Sequence, residues 1–173
     1  MKILGIDPGL SSTGIGIVSG LHNRITDYSF GVIDTPCKTS NGDRLNIIFS
    51  ETKKILTSQK PDIVIIEDIF SLNKYPKSGI LLGKVTGVLL LACAISKITV
   101  IEITVKEAKQ ILTGNGRADK AQLETAVRNL LNSTALIKPC HASDALALAL
   151  IGLFRYSNRL LSSFRQAQRE EIS

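Results

Sequence analysis

Three acidic residues stand inside or at the ends of apolar runs. Asp7 closes Ile3-Leu4-Gly5-Ile6, Glu67 closes Ile63-Val64-Ile65-Ile66, and Asp144 opens Ala145-Leu146-Ala147-Leu148-Ala149-Leu150. Such runs belong in a core, where an unpaired carboxylate gives up its charge unless a cation or hydrogen-bond donors compensate it. Three of them, far apart in the chain, suggest one shared compensator, and a divalent metal ion is the economical choice. A fold that satisfies them brings the ends of these segments together.

With 173 residues, 44% apolar and 21% charged, the chain is sized and composed for one domain with a substantial core. That domain is expected to span residues 1–158, with a polar tail over 159–173. The net charge of +6 is concentrated: eight bases (Lys74, Lys77, Lys84, Lys97, Lys106, Lys109, Arg117, Lys120) face three acids (Glu102, Glu107, Asp119) between Lys74 and Lys120. A basic segment of this kind suits a polyanionic partner. Cys37, Cys93 and Cys140 are odd in number and form no Cys-x-x-Cys pair, which argues against a disulfide framework or structural zinc and fits a reducing cytosol. The first apolar run breaks at Asp7-Pro8-Gly9, so no signal peptide is expected. The apolar segment from Gly79 to Ile95 is short for a span and carries Lys84, so no membrane helix is expected either.

Alternation and turn signals predict strands over Lys2–Asp7, Thr13–Ser19 and Arg24–Ile33, joined closely enough to form an antiparallel meander. Leu45, Ile48, Phe49, Thr52, Ile55 and Leu56 fall at helical spacing, predicting an amphipathic helix over Asn41–Gln59 that Pro61 stops. The strand Asp62–Glu67 is apolar on both faces and therefore reads as central and parallel. A long helix is expected from about Pro76 to Ser96, a strand over Ile98–Ile103, and helices over Thr104–Leu112, Ala118–Leu131 and from Cys140 or His141 to about Asn158. The outcome is a mixed five-stranded α/β sheet with helices on both faces.

Several residues within this frame could carry chemistry. His141 and Asp144 are three apart on a helix, share a face, and lie in its first turn, where the dipole favours negative charge. Asp7 sits in Asp-Pro-Gly, also an ordinary turn sequence. Glu67 and Asp68 point to opposite faces of their strand, so only one of them can join Asp7, and alternation alone leaves open which. Carboxylates meeting at adjacent strand ends would bind hard cations such as Mg²⁺. Two such ions about 3.5–4 Å apart would clamp the attacking water and leaving oxygen of a phosphodiester. With only His22 and His141, and no serine in a nucleophile-elbow context, acyl-transfer triads are poorly supported. Gly114-Asn115-Gly116 lacks the trailing residues of a phosphate loop.

Four segments in order carry a more specific signal: Gly5-Ile6-Asp7-Pro8-Gly9 with Thr13-Gly14-Ile15-Gly16; Ile66-Glu67-Asp68-Ile69-Phe70; Thr113-Gly114-Asn115-Gly116-Arg117-Ala118-Asp119-Lys120; and His141-Ala142-Ser143-Asp144-Ala145-Leu146-Ala147. Together, over residues 1 to about 155, they resemble the RuvC family of Holliday-junction resolvases. The resemblance implies a ribonuclease H-like fold and a homodimer that nicks four-way DNA junctions symmetrically with two Mg²⁺ per subunit. It also implies a cytoplasmic enzyme of recombination and repair that cooperates with a branch-migration helicase. Its catalytic and metal-binding positions fall on Asp7, Glu67, His141 and Asp144, which favours Glu67 over Asp68. The fourth position is Asp in some members and His in others. A nitrogen ligand there suits Mn²⁺ better than an all-oxygen shell does, so Mn²⁺ is expected to substitute. Whether His141 would bind metal or act as a general acid or base stays open. Phe70 matches the aromatic set against bases at the crossover, while Lys109 and Lys120 match basic positions that touch the scissile backbone.

Gly79, Gly83 and Gly87 recur every four residues on the long helix, at a cost to helix stability of about 1 kcal/mol each relative to alanine. Close packing against the same helix of a second subunit, or against the chain's own sheet, would offset it. Other functions stay in view: a ribonuclease H-like nuclease acting on other branched DNA or on RNA, and a junction-binding protein without catalysis. An actin-like nucleotide-binding module, suggested by Gly5-Ile6-Asp7 and Thr13-Gly14, would need a second comparable domain.

Overall fold

Asp7-Pro8-Gly9 ends the first of three strands that fall within the first 34 residues. In a computed structural model describing residues 1–21, 24–68 and 76–170, with side chains at 76–77 and 157–170 left aside, they are β1 (Lys2–Asp7), β2 (Ser12–Leu21) and β3 (Arg24–Asp34). Helix α1 (Asn41–Gln59) starts where Ser40 accepts the amide hydrogen of Asp43 and ends at Lys60 in the left-handed region. Then follow β4 (Ile63–Asp68), α2 (Pro76–Ile95), β5 (Thr99–Thr104), α3 (Val105–Thr113), α4 (Lys120–Leu131) and α5 (Cys140–Glu170).

The sheet order is β3-β2-β1-β4-β5. Strands β1, β2 and β3 pair antiparallel, while β4 runs parallel to both β1 and β5. This is the mixed sheet expected from the sequence, and most element ends fall within a residue or two of expectation. Helix α4 begins at Lys120 rather than Ala118, because Asp119 and Gln122 form a reciprocal capping box there. The larger departure is α5, which runs twelve residues past Asn158 into the stretch expected as a polar tail. That stretch contains no Gly or Pro, and Leu160, Leu161 and Phe164 continue a helical spacing.

Alternation sorts the strand side chains into two cores. Ile3, Val18, Ile63, Ile65 and Ile103 face α3, α4 and α5. Leu4, Ile6, Ile15, Ile17, Val64 and Ile66 face α1 and α2. Helix α5 lies directly on the sheet because three strand positions beneath it have no side chain. A β-carbon on Gly5 would lie 2.0 Å from the Ala145 carbonyl oxygen, one on Gly14 2.0 Å from that of His141, and one on Gly16 2.5 Å from the Leu146 nitrogen. Gly5 and Gly16 are cross-strand partners, and Gly14 is the partner of Asp7, so the bare positions form one patch beside the acid.

Helix α2 is, among the described residues, the one helix long and apolar enough to cross a membrane. Its inner face (Val85, Leu89, Ala92, Cys93) is buried in the core with α1. Its outer face is not: Ile80 is 63%, Leu91 54% and Ile95 51% exposed, and β-carbons on Gly83 or Gly87 would meet nothing within 4 Å. Packing on the chain's own sheet therefore does not explain these two glycines.

The glycine patch predicts an asymmetry between strand glycines. Gly16→Ala should lower the unfolding free energy by about 1–3 kcal/mol through backbone displacement. Gly31→Ala, where an added methyl meets nothing within 4 Å, should leave it unchanged or raise it. Urea denaturation of both variants checks this, and equal losses would mean that the close approach of α5 carries no weight.

Candidate active site

The β-sheet pleat decides which acids meet. Ile6 and Ile66 are partners across the parallel β1–β4 pair, so Asp7 and Glu67 are the next residues along adjacent strands. Asp7 continues the Ile3–Gly5 side of β1 and Glu67 the Ile63–Ile65 side of β4, and both sides face α5. Asp68 continues the Val64–Ile66 side, toward the opposite layer. Glu67 is thus the acid that joins Asp7, as the resemblance implied.

Above these strand ends lies the first turn of α5. His141 Nδ1 and Asp7 Oδ2 are 2.6 Å apart. The ring's Nε2 has no partner among the described contacts. Asp144, one helical turn on, is reached by the Lys120 ammonium at 3.3 Å. Lys120 is the first residue of α4, placed there by the Asp119 cap. Asp7 is 6% exposed, whereas His141 and Asp144 are half-buried and Lys120 is exposed.

The electrostatics record the crowding. Burial is the largest influence raising the Glu67 carboxyl, to about 9; its hydrogen bond with Asp7 and the charges of Asp7 and Asp144 add to it, and Lys120 offsets part. Burial likewise raises Asp7, to about 6, with repulsion from Asp144 added, while the hydrogen bond with Glu67 and the charge of Lys120 pull it down. Lys120 is raised in turn, chiefly by Asp144. At neutral pH, then, the Asp7–Glu67 pair holds a proton that a cation could replace.

The donor set is three carboxylates and an imidazole, chemistry that fits Mg²⁺ or Mn²⁺. As the side chains stand, no three His, Cys, Asp or Glu groups among the described residues form a ready cation shell. Asp7 is engaged with Glu67 and His141, and Asp144 with Lys120. A metal would have to displace the shared proton and loosen the Lys120 contact. The residues fit the ion in chemistry and in number.

Lys109 lies half-buried on α3, and no described contact ties it to these four residues. Phe70 lies outside the described residues. Sequence reasoning missed Arg44. Its guanidinium, 9% exposed, donates from Nε to Thr35 Oγ1 at 2.8 Å and from Nη2 to Ser11 Oγ at 2.9 Å. Thr35 donates in turn to the Leu10 carbonyl at 2.6 Å, and Thr13 to that of Gly9 at 2.7 Å. Arg44 thereby braces the 8–11 turn that follows Asp7. The available signal was its spacing: Arg44, Ile48, Thr52 and Leu56 form the buried row of α1.

The raised carboxyls set the sign of the pH dependence. In the unfolded chain Glu67 releases its proton near 4.5, whereas the folded chain holds it to about 9. The folded state binds more protons across that window, so its stability falls as pH rises. Glu67→Gln removes this slope. In EDTA it should melt higher than the parent near pH 9 and show no such advantage near pH 4 by calorimetry; an unchanged slope would exclude the pair as its origin.

Comparison with known proteins adds the family. The model of the family described as "Crossover junction endodeoxyribonuclease RuvC" matches residues 3–152. A protein of that name from Alkaliphilus oremlandii (strain OhILAs) is 41% identical over 150 residues, covering 87% of this chain and 91% of the relative. Another, from Wolbachia sp. subsp. Drosophila simulans (strain wRi), is 42% identical over 151 residues, covering 87% and 92%. Among solved structures, T. thermophilus RuvC in complex with a Holliday junction substrate superposes with a TM-score of 0.83 at 27% identity, covering 91% of this chain and 96% of that one.

Proposed function

This chain belongs to the RuvC family of crossover junction endodeoxyribonucleases, and from that premise we propose that it is a metal-dependent hydrolase that resolves four-way DNA junctions by paired nicks in recombination and repair. The observation that carries the reading is the meeting of Asp7 and Glu67, at the ends of adjacent parallel strands, beneath His141 and Asp144 of α5. We assign Asp7, Glu67, Asp144 and His141 as the residues that hold Mg²⁺, or Mn²⁺ in its place. When bound, the metal supplies Lewis-acid stabilisation of the phosphodiester and an activated water.

The chain's own groups do the rest. The Asp7–Glu67 pair would have to release its shared proton to hold a cation, so activity should rise with pH toward the alkaline side. Asp7 holds the His141 ring through Nδ1, which would leave Nε2 for metal or proton chemistry. Lys120 is the cation nearest the acids; transferred from Asp144 to an incoming phosphate, it would neutralise the strand where it is cut. Lys109 on the neighbouring helix extends that basic approach, and Phe70 is assigned to base stacking at the crossover. The family relationship supports the cytosol as the working compartment and a branch-migration helicase as a partner.

We place the homodimer interface of this reading on α2. Its open glycines and exposed Ile80, Leu91 and Ile95 make a continuous apolar face that a second copy of the helix would cover closely.

Labelled synthetic four-way junctions and linear duplex, incubated with Mg²⁺, Mn²⁺ or EDTA, test the activity. Metal-dependent nicks restricted to the junction are expected, with Mn²⁺ at least as effective as Mg²⁺. Asp7→Asn should reduce cleavage at least about a hundredfold while junction binding survives. Equal cutting of linear duplex would point to a less selective nuclease, and binding without cleavage to a scaffold. Sedimentation tests the assembly: a dimer at micromolar concentration, converted to a folded monomer by Gly87→Arg. A monomeric parent would remove α2 as the interface.

A further inference from the structure

A second cavity lies beside the acidic cleft, between the start of α4, residues 136–139 and the first turn of α5. Its volume is about 670 Å³, and Ala121, Leu136, Ile137 and Pro139 give it apolar walls. Lys120 and Asp144 border it too, so it shares a wall with the cleft. Two features set it apart from a surface dimple. Cys140, the exposed first residue of α5, lines it with a free thiol. Ser143, one turn further along the same helix, also lines it; this residue is 3% exposed, and its hydroxyl has no hydrogen-bond partner. A buried hydroxyl without a partner is a cost that a bound acceptor would remove.

The charges around the cavity have a sign. Asp144 is paired with Lys120. Glu124 is paired with Arg128 at 2.8 Å and accepts the Ile137 amide hydrogen at 3.2 Å. Lys138 is exposed and has no ion-pair partner among the described residues, so the unneutralised charge is cationic. An apolar hollow with a thiol, a hydroxyl needing an acceptor and a spare cation suits a small ligand that bears carboxylates and can react with sulfur.

We propose that Cys140 is a site of reversible thiolation by low-molecular-weight disulfides bearing carboxylates, whose bodies seat in this cavity. The Cys140 sulfur attacks one sulfur of the disulfide, a new S–S bond forms to Cys140, and the old S–S bond breaks. The departing thiolate takes up a proton in place of the one Cys140 lost; cysteine is oxidised and the disulfide reduced. The adduct then stands one residue from His141 and against Lys120, in the path of a phosphate approaching the cleft. Oxidising conditions would thereby stop cleavage until a thiol reverses the exchange. This last consequence rests on the cleft being the active site; the thiolation itself does not.

The other two cysteines are built-in comparators. Cys93 is fully buried, and burial pushes its thiol up to about 11. Cys37 is exposed between β3 and α1, away from this cavity. The full-length protein is treated with oxidised glutathione, which carries carboxylates, or with cationic cystamine, and adducts are located by peptide mass spectrometry. Oxidised glutathione should modify Cys140 roughly tenfold faster than Cys37, and cystamine should lose that preference. Ser143→Ala should slow the Cys140 reaction without affecting Cys37. Junction cleavage should fall in proportion to Cys140 occupancy, return with dithiothreitol, and resist oxidised glutathione in Cys140→Ala. Equal modification of Cys37 and Cys140 by oxidised glutathione would overturn the site. Cleavage that persists at full Cys140 occupancy would overturn its control of the enzyme. A protein that thiolates selectively but never cuts junctions would refute the assigned activity and leave the site standing.

Discussion

Everything at the acidic cleft depends on the contact between the backbone of α5 and the bare strand positions Gly5, Gly14 and Gly16. With any side chain there, the backbone of α5 would have to move away from the sheet. The positions nearest the helix start matter most. Gly14 faces the His141 carbonyl, so the same close approach that seats the helix also sets the height of the His141 ring above Asp7. Gly152 repeats the device from the helix side, where a β-carbon would strike Ile3 and Ile65 at 2.7 Å. A helix seated by missing side chains at its start and again at Gly152 has little freedom to slide, and its first turn is held firmly above the strand-end acids.

That seating explains why the site tolerates acids in a core. Parity along β1 and β4 places Asp7 and Glu67 on the α5 side, and the seated helix adds Asp144 from above. Burial then makes every negative charge expensive, which the raised Glu67 and Asp7 carboxyls express. His141 and Lys120 relieve part of the strain by pairing with Asp7 and Asp144. A fold that uses its tightest backbone contact to concentrate repelling charges is organised for something other than stability alone.

Much of this was legible in the chain, for identifiable reasons. The bounds of α1 were readable because its apolar spacing is regular and Pro61 stops it; the caps at Ser40 and Lys60 agree with those bounds. The strand positions of Asp7 and Glu67 followed from abrupt ends to apolar runs. The choice between Glu67 and Asp68 was not available from alternation, since period two states that they diverge but not which layer holds α5. Only the family resemblance broke that tie, and the pairing of Ile6 with Ile66 supplies its physical reason. Arg44 escaped notice because a basic residue on an amphipathic helix reads as solvated, although its spacing with Ile48 placed it on the buried row. The length of α5 was underestimated because polar composition after Asn158 resembled a tail, while the absence of Gly and Pro allowed the helix to continue.

The two faces of the sheet divide the work. On one, α5 meets the strands so closely that a methyl group has no room, and the acids collect at its start. On the other, α2 keeps glycines whose missing side chains leave open space rather than contact. The same residue type thus serves opposite ends: intramolecular seating under α5, and an unfilled, apolar surface on α2. Helix-weakening glycines are retained at a cost of about 1 kcal/mol each only where something compensates. Under α5 the compensation lies within the chain; on α2 no described residue of the chain supplies it. Were a second copy of α2 to complete that packing, as proposed, the two clefts would be held at a fixed separation, which is what paired nicks in one junction require.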